Sequence, residues 1–180
     1  MRKPVQELLD FDSVALDFPG HGQQSPLTST ATLSELGDDV VARLPEGPVH
    51  LVGFALGSLI ASNTAIRSPE RITSSTCVNA VYDHTPEELA QVAIRLQAAR
   101  ADFANSMSIA LERWFPEDTR QNFALRAEAG KVLMANDEPS YLYAYEVFAT
   151  GDRNWPRTFP ASPRRPLLSR AKMTRVRLPV

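Results

Sequence analysis

One short segment of the chain has the spacing of a catalytic turn but lacks the atom that would react. Residues 53–57 read Gly-Phe-Ala-Leu-Gly and lie between an apolar, β-favouring run and a helical pattern that begins at Ser58. A strand, a Gly-x-x-x-Gly turn and a helix form a nucleophile elbow, whose central residue is normally a serine that attacks a carbonyl carbon. Ala55 holds that position and offers only a methyl group. We therefore predict that this turn has no nucleophile.

The other residues that nucleophilic catalysis needs are few. The histidines are His21 in a Pro-Gly-His-Gly turn, His50 at the start of the strand before the elbow, and His84 after the next strand. Asp83 and His84 are the acid and base candidates, because sites of α/β proteins gather at the carboxyl ends of their strands. A simple loop leading into a capped helix explains the same pair. Ser58, three residues after the turn centre, is expected to lie within the helix and to point away from the turn.

No feature of the sequence predicts a cofactor, a metal or a membrane span. There is no metal-ligand spacing and no phosphate-binding loop, and the Gly-His-Gly at 20–22 lacks the third glycine of a dinucleotide fingerprint. No apolar run approaches the length of a membrane span, and the first residues do not resemble a signal peptide. The single cysteine, Cys77, fits a reducing compartment. A cytoplasmic protein without a membrane partner is the expectation.

The elements that must position the turn alternate between strand and helix in the first half of the chain. Strands are predicted at 13–17, 49–53 and 72–81, where β-favouring residues are bounded by turn residues. A helix between the first two begins with a capping box, in which Thr32 and Glu35 can satisfy each other's free amides. This alternation predicts parallel strands with right-handed crossovers, and so an α/β architecture.

From residue 85 onward the pattern predicts helices alone. Residues 85–88, Thr-Pro-Glu-Glu, form a second capping box with proline at the first helical position. Further helices are predicted over 105–114, 120–135 and 139–149. Their aromatic side chains are core residues or the lining of a cap, and comprise Trp114, Phe115, Tyr141, Tyr145 and Phe148.

The composition changes near residue 153. No acidic residue follows Asp152, and the remaining stretch is rich in arginine and proline. The tail at 154–180 is therefore expected to be disordered. Two explanations are open: a shifted reading frame, and a basic tail that binds nucleic acid or anionic lipid. The net charge of −2 gives no general reason to expect a nucleic-acid partner.

Three stretches together resemble the α/β-hydrolase fold, specifically its small esterase and lactonase branch with 3-oxoadipate enol-lactonase-like members. Residues 16–25 read Leu-Asp-Phe-Pro-Gly-His-Gly-Gln-Gln-Ser and match the Asp-x-Pro-Gly-His-Gly-x-Ser turn of that family. Residues 50–57 match its strand and elbow except at Ala55. Residues 141–153 are similar to its last cap helix. The resemblance covers residues 4–153.

The resemblance implies a partial hydrolase core at 1–84, a helical cap at 85–153 and a small ester- or lactone-like ligand. It places Ala55 in the nucleophile position and makes the backbone N–H of Leu56 an oxyanion donor. Complete members of the family have further strands before the first helix of this chain, and their catalytic acid and histidine loops follow the cap. By this comparison the chain is a truncated and inactive hydrolase, whose missing strands a partner chain could supply.

Two alternatives explain parts of the same pattern. A non-catalytic module could use the cap pocket to bind a small ligand or a partner protein. An engineered serine-to-alanine replacement would explain Ala55 but neither truncation. Under the leading hypothesis, Ala55→Ser restores the nucleophile without its base, its acid or the full oxyanion hole, so that variant is predicted to stay inactive.

Overall fold

The computed structural model describes residues 6–79, 84–116 and 120–151 of the chain. The chain divides into two units. Within the described residues, the sheet unit comprises residues 31–79, 84–89 and 146–151, and the helical unit comprises residues 6–30, 90–116 and 120–145. The predicted tail at 154–180 lies outside the described residues.

The first helix of the sheet unit begins where the capping box predicts. Helix α1 runs from Leu33 to Arg43. The Thr32 hydroxyl accepts the N–H of Glu35 at 3.1 Å, and the Glu35 carboxylate accepts the N–H of Thr32 at 2.7 Å. The N–H of Thr32, and with it the Thr32 hydroxyl, which also donates to the Glu35 carboxylate at 2.9 Å, lower the pKa of Glu35. The helix buries Leu36 and Val40 on the face that packs against the next helix.

Two parallel strands and the helix between them form the body of the sheet unit. Strand β1 spans Val49–Phe54, helix α2 spans Leu56–Arg67, and strand β2 spans Ile72–Val78. The register runs from Val49 opposite Ile72 to Phe54 opposite Val78. Helix α2 packs on both strands, with Leu59 and Ile60 almost fully buried. The predicted parallel α/β arrangement around the elbow is therefore confirmed.

One predicted strand is wrong. Residues 12–18 have no regular secondary structure, although the sequence pattern at 13–17 favours a strand. A strand is stabilised by backbone hydrogen bonds to a neighbour, and the sheet has two strands, β1 and β2, within the described residues. Local β propensity alone does not supply that neighbour.

Four helices follow the sheet, close to the predicted bounds. They are α3 (Pro86–Ala101), α4 (Phe103–Trp114), α5 (Arg120–Met134) and α6 (Glu138–Thr150). The predicted capping box before α3 is confirmed, because the N–H of Glu88 reaches the Thr85 hydroxyl at 3.2 Å and the Glu88 carboxylate accepts the Thr85 N–H at 2.8 Å. In the helical unit, Phe103 and Met107 are buried and α4 packs against α5.

The turn at residues 19–22 packs directly on the first turn of α6 within the helical unit. Gly20 has φ +75°, and a Cβ at this position would lie 2.1 Å from the Cβ of Ser140. Ser140 is fully buried. Its hydroxyl donates to the Asp137 carboxylate at 2.6 Å and accepts the N–H of Leu27 at 2.8 Å. Glycine is therefore required here both for the left-handed backbone and for the close approach.

No helix in the described parts of the chain combines the length and the apolar character that crossing a bilayer requires.

Candidate functional site

The turn between β1 and α2 has the backbone conformation of a nucleophile elbow. Ala55 has φ 50° and ψ −116°, a region that residues with a Cβ rarely occupy. Holding a residue there costs on the order of 1–3 kcal/mol, and such strain is typical of sites where a side chain must be presented at a sharp turn. The structure thus confirms the elbow that the Gly-x-x-x-Gly spacing predicts, with alanine at its centre.

Hydrogen bonds from backbone and side chain hold the elbow in this conformation. The N–H of Ala55 donates to the carbonyl of Val78 at 3.1 Å, and the N–H of Ser58 donates to the carbonyl of Ala55 at 2.9 Å. The Ser58 hydroxyl lies 2.8 Å from the carbonyl oxygen of Gly53 and 2.9 Å from that of Val78. Ser58 therefore ties the ends of both strands to the start of α2.

The position of Ser58 settles its role at the turn. Its side chain is 1% exposed, and its proton is shared between two backbone carbonyls. The prediction that Ser58 points away from the elbow tip is confirmed. It cannot replace the missing nucleophile in this arrangement, because attack requires an accessible oxygen next to a base.

Gly53 allows the strand and the helix to approach each other closely. A Cβ on Gly53 would lie 2.1 Å from the carbonyl oxygen of Gly57 and 2.7 Å from the backbone nitrogen of Ser58. No side chain fits this space, and the neighbouring atoms belong to the backbone and cannot rotate away. The first glycine of the motif is therefore a packing requirement of the turn.

The predicted oxyanion donor lies at the start of a helix. Leu56 is the first residue of α2, and the N–H groups of a first turn have no intrahelical acceptor. The helix dipole also favours negative charge at this end. The assignment of the Leu56 N–H as an oxyanion donor stays a prediction, and the turn centre, Ala55, carries no group that can attack a carbon atom.

The structure describes one of the two acid and base candidates. Asp83 lies outside the described residues. His84 is described, and its ring meets the ring of Phe148 edge-on, with centroids 6.4 Å apart, inside the sheet unit. The assignment of Asp83 and His84 as acid and base stays a prediction.

The other two histidines have local partners. His21 Nδ1 lies 3.1 Å from the carbonyl oxygen of Pro19, and its ring lies against the ring of Phe18. His50 Nδ1 lies 2.7 Å from the Ser74 hydroxyl on the adjacent strand. His21 therefore bonds within its own turn, and His50 bonds to the neighbouring strand.

The aromatic residues of the predicted cap divide between core and surface. Tyr141 contacts Phe103 and Tyr145 edge-on in the core of the helical unit. Burial raises the pKa of Tyr141 to about 12, the neighbouring Tyr145 adds to the rise, and Arg113 opposes it. Trp114 is 47% exposed. Tyr141 and Tyr145 are therefore core aromatics, in agreement with the simpler of the two sequence interpretations.

Sequence reasoning missed Asn79, which follows β2 directly. This residue has φ 50°, and Ala55 is the other non-glycine residue with positive φ in the described parts. Asparagine tolerates this conformation better than most residues, so an asparagine at this position could have indicated a sharp turn after the strand. The role of the Val78 carbonyl as an anchor for the elbow had no signal in the sequence, because it depends on the strand register.

The described residues contain no group of three or more histidine, cysteine, aspartate or glutamate side chains that could hold a metal ion.

Comparison with known proteins identifies the fold to which this turn belongs. A family model described as the alpha/beta hydrolase fold matches residues 2–166. The (E)-2-((N-methylformamido)methylene)succinate hydrolase of Acinetobacter baylyi is 32% identical over 143 residues, which cover 77% of this chain and 53% of that protein. The pimeloyl-[acyl-carrier protein] methyl ester esterase of Aeromonas hydrophila is 44% identical over 61 residues, or 33% of this chain and 23% of that protein.

Solved structures show the same fold. The enol-lactonase from Burkholderia xenovorans LB400 has a TM-score of 0.63 and 24% identity, and the match covers 76% of this chain and 54% of the lactonase. An esterase from Exiguobacterium antarcticum has a TM-score of 0.63 and 14% identity over 74% of this chain and 53% of the esterase. The chain spans about half the length of the relatives that match most of it.

Proposed function

Because the chain belongs to the α/β-hydrolase family, we propose that it is a catalytically inactive relative of ester and lactone hydrolases. One observation carries the proposal: the elbow is fully formed, and the residue at its centre is Ala55. A methyl group forms no acyl-enzyme, and removing the nucleophile of a comparable triad lowers turnover by about a millionfold. The backbone N–H of Leu56 can still bind a carbonyl oxygen.

The proposal is tested by hydrolysis assays on matched elbow variants. Wild type, Ala55→Ser and Ala55→Gly are compared on p-nitrophenyl acetate and on a small aliphatic lactone, with buffer alone as the baseline. Wild type and Ala55→Gly are expected to show no turnover above buffer. Wild-type turnover that disappears when Asp83 or His84 is replaced would overturn the proposal, because it would reveal a working site that does not need residue 55.

The Ala55→Ser variant addresses a separate point. A serine hydroxyl at neutral pH is a weak nucleophile unless a base removes its proton. We expect this variant to remain inactive, because a restored hydroxyl still needs a base that removes its proton and an acid that orients that base. Esterase activity in Ala55→Ser would show that the chain retains a competent base, while the inactivity of wild type would still stand.

A second candidate function is a non-catalytic interaction module, and the surface of β1 favours it. Val52 is 74% exposed and Phe54 is 67% exposed, on a strand next to the elbow. A folded module would unfold cooperatively on heating, as followed by circular dichroism. A broad, non-cooperative transition would count against any binding role.

A cytoplasmic location is also proposed. Cys77 is a free, exposed cysteine, and free thiols persist in reducing compartments. Fractionation of cells that express the tagged chain would test this, and recovery outside the cytoplasm would contradict it.

A further inference from the structure

We draw no further inference here: the strongest candidate, the contact between α1 and α2 where the Thr64 hydroxyl and the side-chain oxygen of Asn63 are buried beside Gly37 without a hydrogen-bond partner among the described residues, is a packing contact between two helices, and nothing in the structure shows that a ligand has room to reach it.

Discussion

Replacing Ala55 with glycine is expected to stabilise the fold, because the elbow holds this residue at φ 50° and ψ −116°. Relief of that conformation is worth roughly 1–3 kcal/mol. Two smaller effects lower the free energy of unfolding. The greater freedom of glycine in the unfolded chain costs about 0.5–1 kcal/mol, and the loss of a half-buried methyl group costs about 0.4 kcal/mol. The balance is a gain of about 1 kcal/mol in the free energy of unfolding, or a rise of about 2–4 °C in Tm.

The matched control is the same chemical change at a relaxed position. Ala93 lies on an exposed face in the middle of α3, where glycine costs about 1 kcal/mol relative to alanine. Urea denaturation and thermal melts of Ala55→Gly and Ala93→Gly, followed by circular dichroism, should therefore shift in opposite directions. If both variants lose stability by similar amounts, the elbow does not store strain at residue 55 and the reasoning is refuted.

Three further changes probe the contacts around the two turns. Ser58→Ala removes the hydroxyl shared by two strand-end carbonyls and should cost about 1–3 kcal/mol in urea denaturation; a loss below about 0.5 kcal/mol would contradict its role. Ser140→Ala leaves the Leu27 N–H without its side-chain acceptor and should cost about 1–2 kcal/mol by the same measurement, whereas an unchanged midpoint would show that the contact is dispensable. The Ser140 hydroxyl and N–H lower the pKa of Asp137, so the stability that this carboxylate contributes is present above about pH 4 and is lost as the pH falls through its lowered pKa. Asp137→Asn should flatten that acid dependence, and an unchanged pH profile would argue against the link.

The sequence predicts the local features of this protein well, because their causes are local. The capping box at Thr32 fixes the start of α1 through two hydrogen bonds within four residues. The glycine spacing of the elbow reflects the close approach of Gly53 to the Gly57 carbonyl, four residues further along the chain. Such signals depend on residues that are close in sequence, so they do not require knowledge of the tertiary structure.

Features that depend on distant partners were predicted less well. The segment at 13–17 has a strand-like composition but forms no strand, since a strand exists through pairing and not through propensity. The anchor of the elbow at the Val78 carbonyl depends on the register between β1 and β2. The packing of Gly20 against Ser140 joins residues 120 positions apart, and no periodicity in the sequence marks it.

The elbow of this chain has the backbone geometry of a catalytic turn but lacks the reacting side chain. Its strained backbone persists at Ala55 although no serine is present, because Gly53 permits the close packing and Ser58 binds both strand ends. The side chain at the turn centre makes none of these contacts. The conformation of a nucleophile elbow is therefore imposed by the residues around the nucleophile, and its presence in a structure is evidence of family descent. Evidence of activity requires the reacting groups themselves, and at this turn the first of them, the hydroxyl at residue 55, is missing.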